Sequence, residues 1–167
     1  MTNLLQYIQR LLLRDLEAMA LEINSFPSDE MIWTAPVGIS NPAGTLALHV
    51  CGNLRHYVGH VLGGTDYVRD RVSEFSDRSS TREKIIGEIS STSVTLRSVL
   101  PSMDESKLSS TYPEPIAGVE LNTLQFLLHL CTHLAYHVGQ AGYLRRVLTR
   151  DDRSIGPVSV KALAEDG

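Results

Sequence analysis

Four long segments of this chain carry apolar residues three and four positions apart, the spacing that places side chains on one face of an α-helix. They cover about 2–23, 44–62, 80–100 and 122–148. No segment shows a convincing alternation of apolar and polar residues, which a half-buried strand would require. The pattern therefore predicts an all-α protein in which four antiparallel helices form a four-helix bundle around one core.

Local signals predict where these helices begin and end. Ser80 followed by Glu83 has the spacing of a capping box and predicts the start of the third helix, which Pro101 is expected to close. Asn122 is a suitable N-cap for the fourth. The predicted domain covers 1–149. A charged tail, 150–167, follows it, with at most one helical turn at 160–163.

Three stretches connect the predicted helices. Residues 24–41 hold several turn signals and are expected to form a loop with room for one short helical turn, in which only Met31, Ile32 and Trp33 look buried. Residues 66–75 are expected to form a short helix or an ordered arm. Residues 101–120 form a long polar link, in which 112–121 is expected to make a short hairpin. Links of this length often carry function.

Composition excludes several classes of protein. The 167 residues fit one domain, and 43% hydrophobic with 20% charged residues is ordinary for a globular protein. The net charge is −4 and the basic residues form no stripe, so a nucleic-acid partner is not expected. No apolar run is long enough to cross a membrane, and the N-terminus lacks a secretory pattern, so the expected location is the cytoplasm. Cys51 and Cys131 are expected to be small buried hydrophobes.

All six histidines of the chain lie in two of the four predicted helices. His133 and His137 are four residues apart, which makes them neighbours on one helical face and suits two ligands of a single metal ion. His129 lies one turn before them and is expected to line the same cavity. A catalytic site of this kind uses three protein ligands and keeps one position open. The third ligand would then come from the second helix.

The second helix offers three histidines, and spacing alone does not choose among them. Under α-helical geometry His49, His56 and His60 lie at nearly one angle but at different heights, about 10 Å and then about 6 Å apart along the axis. One ion cannot use both His49 and His56, so His49 and the His56/His60 pair remain alternatives. A third interpretation has no metal, and its histidines are hydrogen-bonded core or interface groups.

Two runs of sequence carry a resemblance to a known family. The run HLAYHVGQ, residues 133–140, resembles the His-x-x-x-His-x-Gly-Gln signature of the DinB/YfiT-like superfamily of metalloenzymes. The run TLALHVCGNLRHYV, residues 45–58, resembles the second helix of that superfamily, which carries one metal-binding histidine near its start. The resemblance extends to about Leu148. It implies a four-helix bundle that holds a divalent ion, most often zinc or nickel, through His49, His133 and His137.

The resemblance also implies a class of function. Members of the superfamily with known chemistry are thiol transferases that use bacillithiol or mycothiol, and a maleylpyruvate isomerase that uses a low-molecular-weight thiol. A metal-dependent transferase with a small-molecule thiol partner is therefore expected here. The alternatives are a non-catalytic or stress-related bundle with a structural ion, and a dimeric bundle without metal.

Supporting roles are expected for several neighbouring residues. Metal-bound imidazoles usually donate their second N–H to a nearby acceptor. The candidates by position are Gln140, Asn53, Tyr136 and Tyr57. His56 and His60 are expected to face solvent or a partner subunit, and a homodimer is expected because two-fold dimers are the commonest assembly.

Overall fold

The computed structural model describes residues 4–155 and 160–163, the side chains of 161 and 162 excepted, and this part of the chain is all-helical. The α-helices are α1 Leu4–Asn24, α2 Asp29–Ile32, α3 Ala43–Leu54, α4 Arg71–Ser76, α5 Arg82–Ser102 and α6 Thr123–Thr149. A π-helix, Arg55–Leu62, continues α3, and 3₁₀-helices cover Glu105–Ser109 and Val160–Leu163. None of the described helices is long and apolar enough to cross a lipid bilayer.

The long helices enclose one apolar core. Helix α1 packs against α5 and α6, and α3 packs against the same two helices. The apolar faces that the spacing predicts are buried in part. Val94 of α5 and Val147 of α6 belong to the predicted pattern but are mostly exposed, whereas Leu12 and Leu16 of α1 and Leu96 of α5 are fully inaccessible to solvent. Each such side chain stabilises the fold by about 1.5–3 kcal/mol relative to an exposed position. This packing holds α3 against α6, the two helices that carry the histidines.

The predicted helix ends are confirmed in part. Asn122 caps α6 in a full capping box, because its side chain accepts from the Gln125 backbone N–H and the Gln125 side chain accepts from the Asn122 N–H. The predicted Ser80 cap is wrong. Thr81 caps α5 by accepting from Lys84, whereas the Ser80 hydroxyl is hydrogen-bonded to the Asp77 carboxylate. Pro101 does not close α5 either, because it lies inside the last turn, where the helix runs on to Ser102.

The second predicted helix changes geometry after Leu54. Its π-helical part places hydrogen bonds between residues five apart and so breaks the 3.6-residue repeat. This part lies very close to α5: a Cβ atom on Gly59 would lie 2.8 Å from Thr95 Cγ2, and one on Gly63 would lie 2.4 Å from Val99 Cγ2. The prediction that His49, His56 and His60 share one angle is therefore wrong, because it assumes uninterrupted α-helix.

The connecting stretches contain more structure than predicted. The expected helical turn in 24–41 is α2. Ile32 is buried as predicted, Met31 and Trp33 are only partly buried, and Phe26 is buried although the sequence pattern did not indicate it. The expected short helix in 66–75 is α4, capped by the Asp70 side chain. The predicted hairpin in 112–121 is reduced to two isolated bridges, Thr111 with Asn122 and Ile116 with Val119.

The described part of the tail lies against the helices. Arg145 of α6 is fully buried and donates to Glu22 of α1 over 2.6 Å, and it also donates to the backbone carbonyls of Asp151 and Arg153. The single turn predicted at 160–163 is confirmed as a 3₁₀-helix, which packs against α1. Arg145 therefore joins α6 to α1 through the ion pair and holds the stretch after α6 through these two hydrogen bonds.

Candidate metal centre

His49, His133 and His137 meet between α3 and α6. One nitrogen from each of the three imidazoles lies within 4.8 Å of the others. The Nε2 atoms of His133 and His137 are 3.0 Å apart. The ring of His49 lies edge-on to both, with ring centroids 5.2 Å from His133 and 5.4 Å from His137. The packing of the helices thus places a histidine of the second segment against the i, i+4 pair of the fourth.

The three rings differ in burial. His49 is buried, at 9% exposure, and Phe75 of α4 packs on its ring at 4.9 Å. His133 and His137 are half-buried. On the outer side His133 stacks on the exposed ring of His129 at 5.7 Å, as the one-turn spacing predicts. The centre is therefore enclosed on its α4 side and closer to solvent on its α6 side.

Hydrogen bonds fix the protonated nitrogen of two of the rings. The Nδ1 of His137 lies 2.7 Å from the side-chain amide oxygen Oε1 of Gln140, and the Nδ1 of His49 lies 3.1 Å from a carboxylate oxygen of Glu74. Both oxygens accept. The Nδ1 of His49 also lies 3.4 Å from a terminal nitrogen of Arg69, but its contact with the Glu74 carboxylate is shorter, so we assign the proton to Nδ1 in both rings. Each Nε2 is then the nitrogen with the free lone pair, which is the form that binds a metal.

The environment favours neutral imidazoles. Burial, together with the nearby rings of His137 and His49, lowers the pKa of His133 from its ordinary 6.5 to about 4. Burial also lowers the pKa of His137, against the opposing effect of the Gln140 hydrogen bond. Metal ligands must be deprotonated, so at neutral pH these two side chains are in the form that a divalent ion requires.

Glu74 and Arg69 form a buried ion pair next to the centre, and the sequence did not indicate either. Arg69 donates to both oxygens of Glu74, from Nε over 2.6 Å and from a terminal nitrogen over 2.8 Å. Burial alone would raise the pKa of Glu74, but the hydrogen bonds from Arg69 and His49 lower it below its ordinary value. Glu74 is therefore a carboxylate that accepts from His49.

Gly52 of α3 is the sequence feature that indicates this contact between α3 and Glu74. A Cβ atom on Gly52 would lie 2.0 Å from Oε1 of Glu74, so only glycine leaves room for the carboxylate to pass α3. Glycine inside a helix costs about 1 kcal/mol relative to alanine, and its presence beside a histidine face indicates a close approach.

The remaining histidines lie away from this cluster. His56 pairs with Glu114 of the long link over 3.3 Å and stacks on His60 at 5.8 Å, and His60 donates to the Thr65 carbonyl. Of the predicted supporting residues, Gln140 makes the expected contact. Asn53 does not, since its buried Oδ1 has no hydrogen-bond partner among the described residues. Tyr136 is mostly exposed beside His137.

A groove of about 930 Å³ opens directly beside His137. Residues 36–41 form one wall, and the face of α6 that carries Tyr136, Gln140 and Tyr143 forms another. No charged side chain lines it among the described residues. The volume lies in the range typical of small-molecule sites, and the lining suits a neutral, apolar group.

The side chains at the centre fit a divalent metal. Three imidazole nitrogens suit zinc and nickel, among other ions. A tetrahedral ion with bonds of about 2.0–2.1 Å holds its ligand nitrogens roughly 3.3 Å apart. The His133–His137 pair, at 3.0 Å, is already near that separation, and a set whose nitrogens lie within 4.8 Å of one another needs to contract by at most about 1.5 Å.

Comparison with known proteins identifies the family of the chain. The sequence model of the family described as "Protein of unknown function (DUF1572)" matches residues 3–159. The match continues past Leu148, into the part of the chain that the sequence pattern assigns to the tail. No curated protein matches the chain. Since the match covers almost the whole sequence, this chain belongs to the DUF1572 family.

Proposed function

We propose that this chain is a metal-dependent transferase of the DinB/YfiT type, in which His49, His133 and His137 hold a divalent ion, zinc or nickel. The observation that carries the proposal is the convergence of three imidazole nitrogens from two helices within 4.8 Å. The hydrogen bonds of His49 and His137 support it, because they leave Nε2 unprotonated on both rings. The transferred group in this proposal is a low-molecular-weight thiol.

The chemistry that the ion supplies when bound is to lower the pKa of a thiol at its open position. In the reaction the thiol proton passes to solvent water, the sulfur forms a bond to an electrophilic carbon, and the leaving group departs with the electrons of the bond that breaks. The residues of the chain hold the ligand nitrogens in place and exclude water on the α4 side.

Two features of the protein support a reaction between an external thiol and an electrophile bound in the groove. Burial raises the pKa of both Cys51 and Cys131 to about 12, so neither protein thiol is ionised at neutral pH. These pKa values favour our proposal that the reacting thiol comes from a small molecule rather than from either cysteine. The uncharged groove beside His137 suits the electrophile, which we propose to be a neutral, apolar compound.

Several finer features belong to the same proposal. The four longest helices correspond to the four-helix bundle of the superfamily, with the bundle domain at 1–149 and the tail at 150–167. We propose a cytoplasmic homodimer. Exposed apolar side chains such as Tyr7 and Leu21 of α1 and Val94 of α5 are candidate contacts between subunits. Sedimentation at several protein concentrations tests the dimer.

The first test is elemental analysis of protein purified without a histidine tag. Wild-type protein is expected to contain one equivalent of zinc or nickel. His133→Ala and His49→Ala are expected to lose it, whereas His60→Ala, outside the cluster, is expected to keep it. Wild-type protein that contains no metal, even after reconstitution with zinc and nickel, would contradict the proposal and favour histidines that act only in packing.

A second test asks whether the bound ion supports catalysis. Loaded protein is incubated with a low-molecular-weight thiol and a neutral electrophile, and loss of the thiol is followed against the His133→Ala variant. Turnover that requires His133 supports a transferase. Stoichiometric metal without turnover, with a closed four-ligand shell by X-ray absorption, favours a structural ion instead.

A further inference from the structure

We infer that Glu74 is a positioning residue for His49. Arg69 holds Glu74 in place, and Gly52, which has no Cβ atom, leaves the space that the Glu74 carboxylate occupies. This inference rests on the proposed metal site, because positioning of His49 matters only where His49 is a ligand. It assigns a role to α4, a short helix that contributes no ligand of its own.

Two sets of hydrogen bonds in series orient His49: Arg69 orients Glu74, and Glu74 orients the His49 ring. Arg69 donates hydrogen bonds to both carboxylate oxygens of Glu74, and Glu74 accepts a hydrogen bond from Nδ1 of His49. The side chains of Arg69 and Glu74 are only 11% and 7% exposed, so water competes little for these bonds. Rotation of the His49 ring would break its bond to Glu74, and a shift of Glu74 would break two bonds to Arg69.

Helix α4 is held in place by its N-terminal cap and by the packing of Phe75 on His49. The Asp70 side chain accepts from the Ser73 backbone N–H and from its hydroxyl, which fixes the first turn. Phe75, adjacent to Glu74, packs on the ring of His49. One face of the imidazole is therefore covered and its Nδ1 is bonded, which leaves Nε2 as the free nitrogen.

The ion pair also determines how much charge reaches the imidazole. A carboxylate that accepts from a ligand histidine usually makes that ligand more basic. Here Arg69 donates to both carboxylate oxygens, which neutralises Glu74 within the pair. Glu74 therefore orients His49 without bringing a net negative charge to the centre.

The test measures binding of Co²⁺ to the full chain, since Co²⁺ reports its ligand geometry through its visible spectrum. Affinity is obtained by competition with a chromophoric chelator. Glu74→Ala is expected to weaken binding by about 10- to 100-fold, the usual effect of losing such a partner. Glu74→Gln keeps an acceptor oxygen and is expected to recover part of this loss.

Gly52→Ala tests the same contact without touching either partner. Its added Cβ displaces Glu74, so binding is expected to weaken and the spectrum to change as in Glu74→Ala. Gly87→Ala in α5 is the matched control, because a Cβ there meets nothing within 4 Å. Circular dichroism and thermal melting of the metal-free variants separate a loss of fold from a loss of positioning.

The outcomes distinguish this inference from the metal site itself. If Glu74→Ala and Gly52→Ala bind Co²⁺ with wild-type affinity and spectrum while His133→Ala does not bind, Glu74 does not position His49. If wild type does not bind Co²⁺ at all, the metal site fails and the inference fails with it. Should Glu74→Ala or Gly52→Ala not fold, Arg69→Lys decides. This variant keeps the positive charge but loses the paired hydrogen bonds from the guanidinium to both oxygens of Glu74. An unchanged Co²⁺ affinity and spectrum would overturn the inference.

Discussion

At the scale of single residues, protonation determines what the centre does. Gln140 and Glu74 each accept a hydrogen bond from an Nδ1–H group, so the Nε2 atoms of His137 and His49 keep their lone pairs. In the metal-free protein the short contact between His133 and His137 then has one direction. Nε2 of His133 donates to Nε2 of His137 over 3.0 Å. Metal binding through Nε2 therefore requires His133 to change tautomer, so that its single ring proton lies on Nδ1.

The stability of the metal-free protein is expected to fall as the pH falls below about 6.5. The folded protein holds the pKa of His133 near 4, so between these values the unfolded chain binds more protons, and protonation favours unfolding. Urea unfolding at a series of pH values measures this dependence. His133→Gln is expected to flatten it and His60→Gln, at an exposed position, is not. Equal slopes in wild type and His133→Gln would contradict the prediction.

Native protein is expected to react slowly with a thiol reagent at neutral pH. Burial raises the pKa of Cys51 and Cys131 to about 12, and the thiolate is the reactive form. Absorbance after addition of Ellman's reagent measures the reaction, and both cysteines are expected to react once the protein is unfolded in urea. Rapid labelling of the native protein would contradict a purely structural role for the two thiols.

At the scale of secondary-structure elements, short segments hold the long helices in place. The π-helix lies against α5 at Gly59 and Gly63, where any larger side chain would overlap its neighbour. Helix α4 presents Glu74 to α3. The ion pair of Glu22 and Arg145 joins α1 to α6. Arg145 also donates a hydrogen bond to a backbone carbonyl in the stretch after α6.

Removal of Arg145 is expected to destabilise the protein by about 3–5 kcal/mol. In Arg145→Leu, Glu22 keeps its charge in a buried position with its partner lost, which is far more costly than loss of the whole pair. Urea unfolding compares this variant with the Glu22→Leu/Arg145→Leu double variant, which is expected to recover much of the loss. If the single and double variants are equally unstable, the ion pair is not the cause.

At the scale of the whole molecule, the packing of a loop on a helix creates the groove. Residues 36–41 and the second half of α6 are distant in the chain, and they enclose about 930 Å³ beside His137. The groove and the candidate centre share this histidine, so a compound bound in the groove lies next to the centre.

Binding of a neutral apolar probe such as N-phenyl-1-naphthylamine is expected to depend on Val147, which lines the groove. Val147→Asp places a charge among apolar walls and is expected to weaken binding at least about tenfold, an effect of roughly 1.4 kcal/mol. Val119→Asp on the link before α6 is the control, because Val119 is 55% exposed, lies outside the groove and is not a proposed subunit contact, whereas Val147 is 63% exposed. Fluorescence titration measures both. Equal affinities would show that the probe binds elsewhere.

The sequence by itself determined the features that depend on local repeats. The apolar spacing predicted the four long helical segments, and the i, i+4 spacing of His133 and His137 placed them on one face, because neighbours on a helix are fixed by its 3.6-residue turn. The Asn122 cap was predictable for the same reason, since donor and acceptor lie three residues apart.

Only the tertiary structure decided which groups meet across helices. Spacing left His49 and the His56/His60 pair as alternatives, and the family resemblance pointed to His49. It is His49 that the packing of α3 on α6 brings to the pair, while His56 and His60 lie in the π-helix that follows, where they contact Glu114 and the Thr65 carbonyl. Glu74 lies 25 residues from His49 in the chain, and the groove joins a loop to a distant helix. Such contacts follow from the relative placement of packed elements, which no short-range repeat in the sequence encodes.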